Sequence, residues 1–270
     1  MVSAMSRACP PLPARRTALA SLLGAGALLA GANAKPAAAA APRASITPKF
    51  NPDGSAAHYP GNSIICHVDR RSENFMALLD IHCALMRSGM LHRIAPLPPA
   101  SYHMTVFNGV SYPARRQAFP ADLPADADDT FCNEWLLAKL KRFDLATELP
   151  LRMRALPLNR QSNPYNIQFA PVDAAEDRKL RRLRDRLAET LHYRLPDHET
   201  FRFHVTLHYF YATPTADEQA RFFALHRTLV ADFLQRAPVL ELHNPEYVYF
   251  DDMYQFRPQL LLRNQAGQES

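Results

Sequence analysis

The sequence is short of the residues that would staple a fold or hold a metal. It has four cysteines, and Cys9 falls in an amino-terminal leader, which leaves Cys66, Cys83 and Cys132. An odd number at those separations fits no metal-binding spacing, so no metal or other cofactor is expected. Buried free thiols are the favoured state, with a single disulfide as the alternative. Charge of one sign is scarce too. The chain carries 31 basic and 26 acidic residues, but Arg7, Arg15 and Arg16 belong to the first 34 residues, which hold no acid; without them 28 basic residues face 26 acidic. So even a balance argues against a long nucleic acid as partner and leaves a small anionic substrate open. Past the leader no apolar run is long enough to span a bilayer, so no stable membrane association is expected after the leader is removed.

The leader itself is well marked. A basic opening ends at Arg15-Arg16, an apolar run follows from Thr17 to Ala32, and Ala32-Asn33-Ala34 forms a small-x-small cleavage pattern. Residues 1–34 therefore read as a signal peptide. The paired arginines, and Lys35 beyond the cleavage site, resemble a twin-arginine signal; Thr17-Ala18-Leu19 fit that motif poorly, and general secretion is the alternative. A periplasmic or secreted protein is expected. Residues 35–48, with five alanines between Pro36 and Pro42, read as a flexible tether. Residues 49–264 read as the folded domain, and 265–270 as a disordered tail. A 47% hydrophobic composition is ample for a core, and a monomer is expected.

The domain repeats one unit. Asn62 to Val68 is short, rich in β-formers and bounded by Pro60-Gly61, which predicts a strand. A helix follows from an N-cap at Ser72 to Gly89, with Phe75, Leu78, Leu79, Leu85 and Met86 on one face. After Pro96, Pro98 and Pro99 comes a second strand, Tyr102 to Phe107. The order then recurs: a strand at Asn166–Phe169, an amphipathic helix marked by Leu180, Leu183, Leu187 and Leu191 with arginines on its outer faces, and after Pro196 a strand from Phe201 to Tyr209. Ile64 and His103 are 39 residues apart, Ile167 and His204 37. Thr130 is expected to cap a further helix to Leu140, and Leu149–Leu156 to form a strand. Thr215 with Glu218 forms a capping box for a helix to about Arg236. Strands near Val239–Leu242, Tyr247–Phe250 and Leu260–Leu262 close the domain.

Each half ends in His-x-Thr on a strand. Alternate strand residues share a face, so His103 and Thr105 point one way and His204 and Thr206 likewise, opposite a hydrophobic set. The tripeptide alone is weak: it also occurs at His198 and His226, but those fall in a turn and a helix. Two imidazoles flanking one ester suit proton exchange near neutral pH, one taking a proton from the attacking oxygen and the other giving one to the leaving oxygen. Threonine hydroxyls and a nearby cation would hold the phosphoryl oxygens. Arg202 and His208 share the strand face of His204, and Phe107 that of Thr105, so all three join the candidate site.

Tyr102-His103-Met104-Thr105-Val106-Phe107 and Phe203-His204-Val205-Thr206-Leu207-His208 resemble the paired motifs of the two-histidine (2H) phosphoesterases, which include 2′,5′ RNA ligase-like proteins and cyclic nucleotide phosphodiesterases. The opening Lys49 to Gly54 and the run Pro60 to His67 resemble a bacterial branch of unknown function. The resemblance implies a bilobal α+β fold, with two pseudo-symmetric strand–helix–strand halves and antiparallel sheets around a central groove. It implies His103 and His204 as catalytic residues, Thr105 and Thr206 as phosphate-binding, and metal-independent cleavage of a small, nucleotide-type phosphodiester such as a 2′,3′-cyclic one. Export departs from the family's RNA-processing members. Two other readings stay open: a metallohydrolase using His103, His204, His208 and His67, and a non-catalytic periplasmic nucleotide- or anion-binding protein.

Overall fold

The computed structural model describes residues 46–117, 119–158 and 166–265. The expected leader, residues 35–45 of the tether, and 266–270 of the tail lie outside the described residues. No helix among those described is long and apolar enough to cross a membrane.

Among the described residues, ten strands and four α-helices make a mixed α+β domain. The strands are β1 Gly61–His67, β2 Ile94–Pro96, β3 His103–Ser111, β4 Leu151–Ala155 and β5 Asn166–Pro171, then β6 Phe203–Thr206, β7 His208–Phe210, β8 Val239–Leu242, β9 Glu246–Phe250 and β10 Arg257–Leu261. The helices are α1 Glu73–Arg87, α2 Asp129–Leu140, α3 Ala174–Leu191 and α4 Ala216–Arg236. Eight strands form one antiparallel sheet in the order β10-β9-β1-β3-β6-β5-β4-β8, while β2 pairs with β7. The two expected lobes are the two halves of that sheet.

The halves match register for register. In the first, Ile65, Cys66 and His67 oppose Thr105, Met104 and His103. In the second, Asn166, Ile167 and Gln168 oppose Thr206, Val205 and His204. One pair joins them, Met104 against Val205 across β3 and β6. Both side chains are buried, so the joint is apolar on the core face and the histidine–threonine faces emerge together on the other side.

Local chemistry sets the helix ends. The Ser72 side chain accepts from the Phe75 N–H to start α1, and Thr215 and Glu218 cap α4 reciprocally. The buried face of α1 is Asn74, Ala77, Leu78, Ile81 and Leu85; Met86, expected on it, is exposed. Helix α2 is capped two residues earlier than expected, by Asp128, whose side chain accepts from the Phe131 N–H. Cys66 and Cys132 are buried free thiols.

One arginine departs from the amphipathic reading. The Arg178–Arg186 cluster was expected to lie on a solvated face, yet Arg184 is buried. A β-bulge leaves Val106 without a partner residue, since Ile64 opposes Phe107 and Ile65 opposes Thr105. Arg184 Nη1 donates to the Val106 carbonyl at 2.6 Å and Nη2 to that of His198 at 3.1 Å, and the guanidinium lies 4.3 Å from the centre of the Phe201 ring. It thus links β3 to the segment leading into β6.

Beyond the bulge, Gly109 lets β3 approach Asn62: a Cβ there would lie 2.1 Å from the Asn62 carbonyl oxygen and 2.2 Å from its Oδ1. That Oδ1 also accepts from the Val110 N–H, so it has little room to yield. Gly109→Ala is expected to cost about 1–3 kcal/mol in urea denaturation, and an unchanged midpoint would refute the close approach.

Candidate active site

The joint between β3 and β6 crosses the two motifs. With Met104 opposite Val205, the antiparallel register runs His103 toward Thr206 and Thr105 toward His204. Each imidazole therefore neighbours the other motif's threonine. The two histidines are diagonal neighbours on adjacent strands, an arrangement that sets residues roughly 7–8 Å apart and their Cβ atoms somewhat closer. All four side chains line one cavity of about 380 Å³, a size typical of small-molecule sites.

Both rings are held in the same way. His103 Nδ1 donates to the carbonyl of Ser101 at 2.7 Å, and His204 Nδ1 to that of Arg202 at 2.9 Å. A carbonyl can only accept, so each Nδ1 carries the proton and each Nε2 is left as the reactive nitrogen. The Phe256 ring lies 4.2 Å from the His103 ring, centre to centre, and Phe201 lies 6.5 Å from His204. The surroundings favour neutral imidazoles. Burial, offset in part by the Ser101 carbonyl, pushes His103 down to about 3, with His67, His204 and Lys49 adding repulsion. Burial likewise lowers His204, with Lys49 adding to it.

Lys49 is a site residue that the sequence reading did not pick out. It is the one lysine or arginine lining the cavity among the described residues. Its ammonium donates to the Tyr209 hydroxyl at 3.1 Å and sits 4.9 Å from the centre of that ring and 5.6 Å from that of Tyr59. It lies before β1, in irregular chain 54 positions from His103, where no local pattern distinguishes a site lysine. Asp197 is the one carboxylate lining the cavity among the described residues.

Three expected members do not reach the groove. Phe107 is buried against Tyr193 and His198, because the bulge at Val106 shifts the alternation and turns it to the core face. His208 is fully buried beside Phe210, Phe222 and His226. The predicted strand Phe201–Tyr209 breaks at Leu207, and His208 opens β7, which pairs with β2 in the other sheet. Its loss from the groove breaks up the four-histidine ligand set of the metallohydrolase reading. Arg202 is exposed and does not line the cavity; it contributes its main-chain carbonyl to His204 instead. The grouping of histidine and acids that comes together elsewhere, Asp185, His198 and Glu199, is already bonded by Arg194, which reaches both carboxylates.

Burial also holds His208 down to about 3, with His226 adding repulsion, and lowers His226. Four histidines thus stay neutral in the fold but take up protons near pH 6.5 once unfolded. The unfolded chain then binds more protons, so stability is full above about pH 6.5 and is lost as pH falls toward the folded values. Scanning calorimetry is expected to show the melting temperature falling between pH 7 and pH 4.5. A flat melting temperature across that range would contradict the buried, neutral assignment.

Residues 49–163 match the protein family described as "2H-phosphodiest: Domain of unknown function (DUF1868)". That match includes the His103 motif, and His204 lies beyond it. A crystal structure of a conserved protein of unknown function from Agrobacterium tumefaciens strain C58 is similar with a TM-score of 0.72 and 26% identity, over 79% of this chain and 90% of that one. No curated protein matches the chain. With its paired histidine motifs on one groove, the chain is similar over residues 49–163 to the 2H-phosphodiesterase family of unknown function, and its fold is similar to that of the Agrobacterium protein.

Proposed function

We propose that the groove cleaves a small nucleotide-type phosphodiester by acid–base exchange between His103 and His204, with no metal in the reaction. The family points to a phosphodiesterase-type activity; the substrate class and the residue roles are our reading. One observation carries it: both histidines and both threonines line one small cavity, each ring tied at Nδ1 to a main-chain carbonyl.

In this reading the phosphoryl group sits over the crossed square of His103, Thr206, Thr105 and His204. The threonine hydroxyls donate to its non-bridging oxygens, and Lys49 offsets their charge. One Nε2 takes the proton of the attacking water or hydroxyl as its oxygen bonds to phosphorus. The other Nε2, protonated, gives its proton to the leaving oxygen as that P–O bond breaks. The bound anion supplies the charge that lets one imidazole hold a proton in surroundings that otherwise disfavour it.

The test is hydrolysis of a panel of 2′,3′-cyclic and linear nucleotide phosphodiesters, with and without chelator. Turnover is expected to survive chelator and to fall roughly 10²–10⁴-fold in His103→Ala and in His204→Ala. Lys49→Met is expected to raise KM about tenfold, the loss of one charge-assisted contact. Chelator-sensitive turnover, or full activity in either histidine variant, would overturn the reading. Ligand-dependent stabilisation without turnover would favour a binding protein.

A further inference from the structure

The two halves of the site share one register but differ in the residue that stands opposite each histidine. Opposite His204, the second half places Gln168 on β5. Opposite His103, the first half places His67 on β1, and His67 Nδ1 lies 2.8 Å from Glu246 Oε2 on β9. The His67 ring stands edge-on to that of His103, 6.3 Å between centres. A carboxylate-anchored imidazole therefore stands beside one histidine of the pair and a neutral amide beside the other.

We infer that His67 and Glu246 form a positioning dyad that breaks the symmetry of the site, making His103 the base and His204 the acid. This rests on the two-histidine reading above and adds direction to it. The carboxylate orients the His67 ring, and His67 stands between that carboxylate and His103. A proton shared between the groove histidines then avoids His103, which faces His67 from β1, His204 from β6 and Lys49 from the chain before β1. His204 faces Lys49, with Asp197 lining the same cavity. His103 Nε2 accepts the proton of the attacking oxygen as the new O–P bond forms. His204 Nε2 releases its proton to the leaving oxygen as the old bond breaks, and solvent exchange restores both rings.

The experiment is a histidine-labelled NMR pH titration of the domain in wild type, His67→Gln and Gln168→His. It needs no substrate, so its outcome is separate from that of the activity panel. In wild type His103 is expected to protonate at lower pH than His204. His67→Gln gives the first half the second half's residue and leaves the Glu246 carboxylate unscreened, so His103 is expected to titrate about one pH unit higher while His204 moves far less. Gln168→His installs the missing neighbour and is expected to move His204 downward; it also covers the case in which His67→Gln fails to fold. An unmoved His103 in folded His67→Gln, an unmoved His204 in Gln168→His, or His204 protonating below His103 in wild type would overturn the inference. Turnover that persists in His103→Ala and His204→Ala would defeat the underlying reading instead, whatever the titrations show.

Discussion

The functional geometry hangs on the pairing of Met104 with Val205. Two four-stranded halves meet edge to edge at the centre of one sheet. Because side chains alternate along a strand, fixing those two apolar residues on the core face fixes four polar ones on the other. Because the strands are antiparallel, the motifs run past each other, and imidazole and hydroxyl alternate around a square. A slip of one residue between the two strands would turn one of the motifs into the core and separate it from the other. Buried apolar residues on both strands, and Arg184 bridging Val106 to His198 behind them, oppose such a slip.

The same packing sets the electrostatics. Partial burial in the groove favours the neutral form of its histidines, and each keeps a carbonyl at Nδ1 that fixes its tautomer. Lys49 adds positive potential among aromatic rings, where it is screened less than at an open surface. Such a site is poised for an anion, because an anion repays the cost of charging an imidazole there. In the proposed function, affinity for phosphate and readiness for proton transfer both arise from one arrangement, and the His67–Glu246 pair is the feature we infer to give it direction.

Much of this was legible in the sequence. Strand alternation placed His103 with Thr105 and His204 with Thr206, and the repeat of strand, helix and strand paired the two sets. What sequence could not give was where the alternation fails. A bulge reversed Phe107, and a strand break at Leu207 sent His208 into another sheet; neither leaves a glycine or proline to mark it. Arg184 is hidden among helix arginines that do face solvent. Lys49 and the His67–Glu246 contact, the latter spanning 179 positions, come from chain segments brought together only by the fold.

The central claim is that one phosphoryl group engages both halves of the site at once. A crystal structure of the domain with bound vanadate, a mimic of the five-coordinate phosphoryl centre, tests it directly. The account predicts a single anion within hydrogen-bond reach of both Nε2 atoms, with Thr105 and Thr206 donating to its oxygens and Lys49 nearby. An anion held by one motif alone, or bound outside the groove, would contradict it.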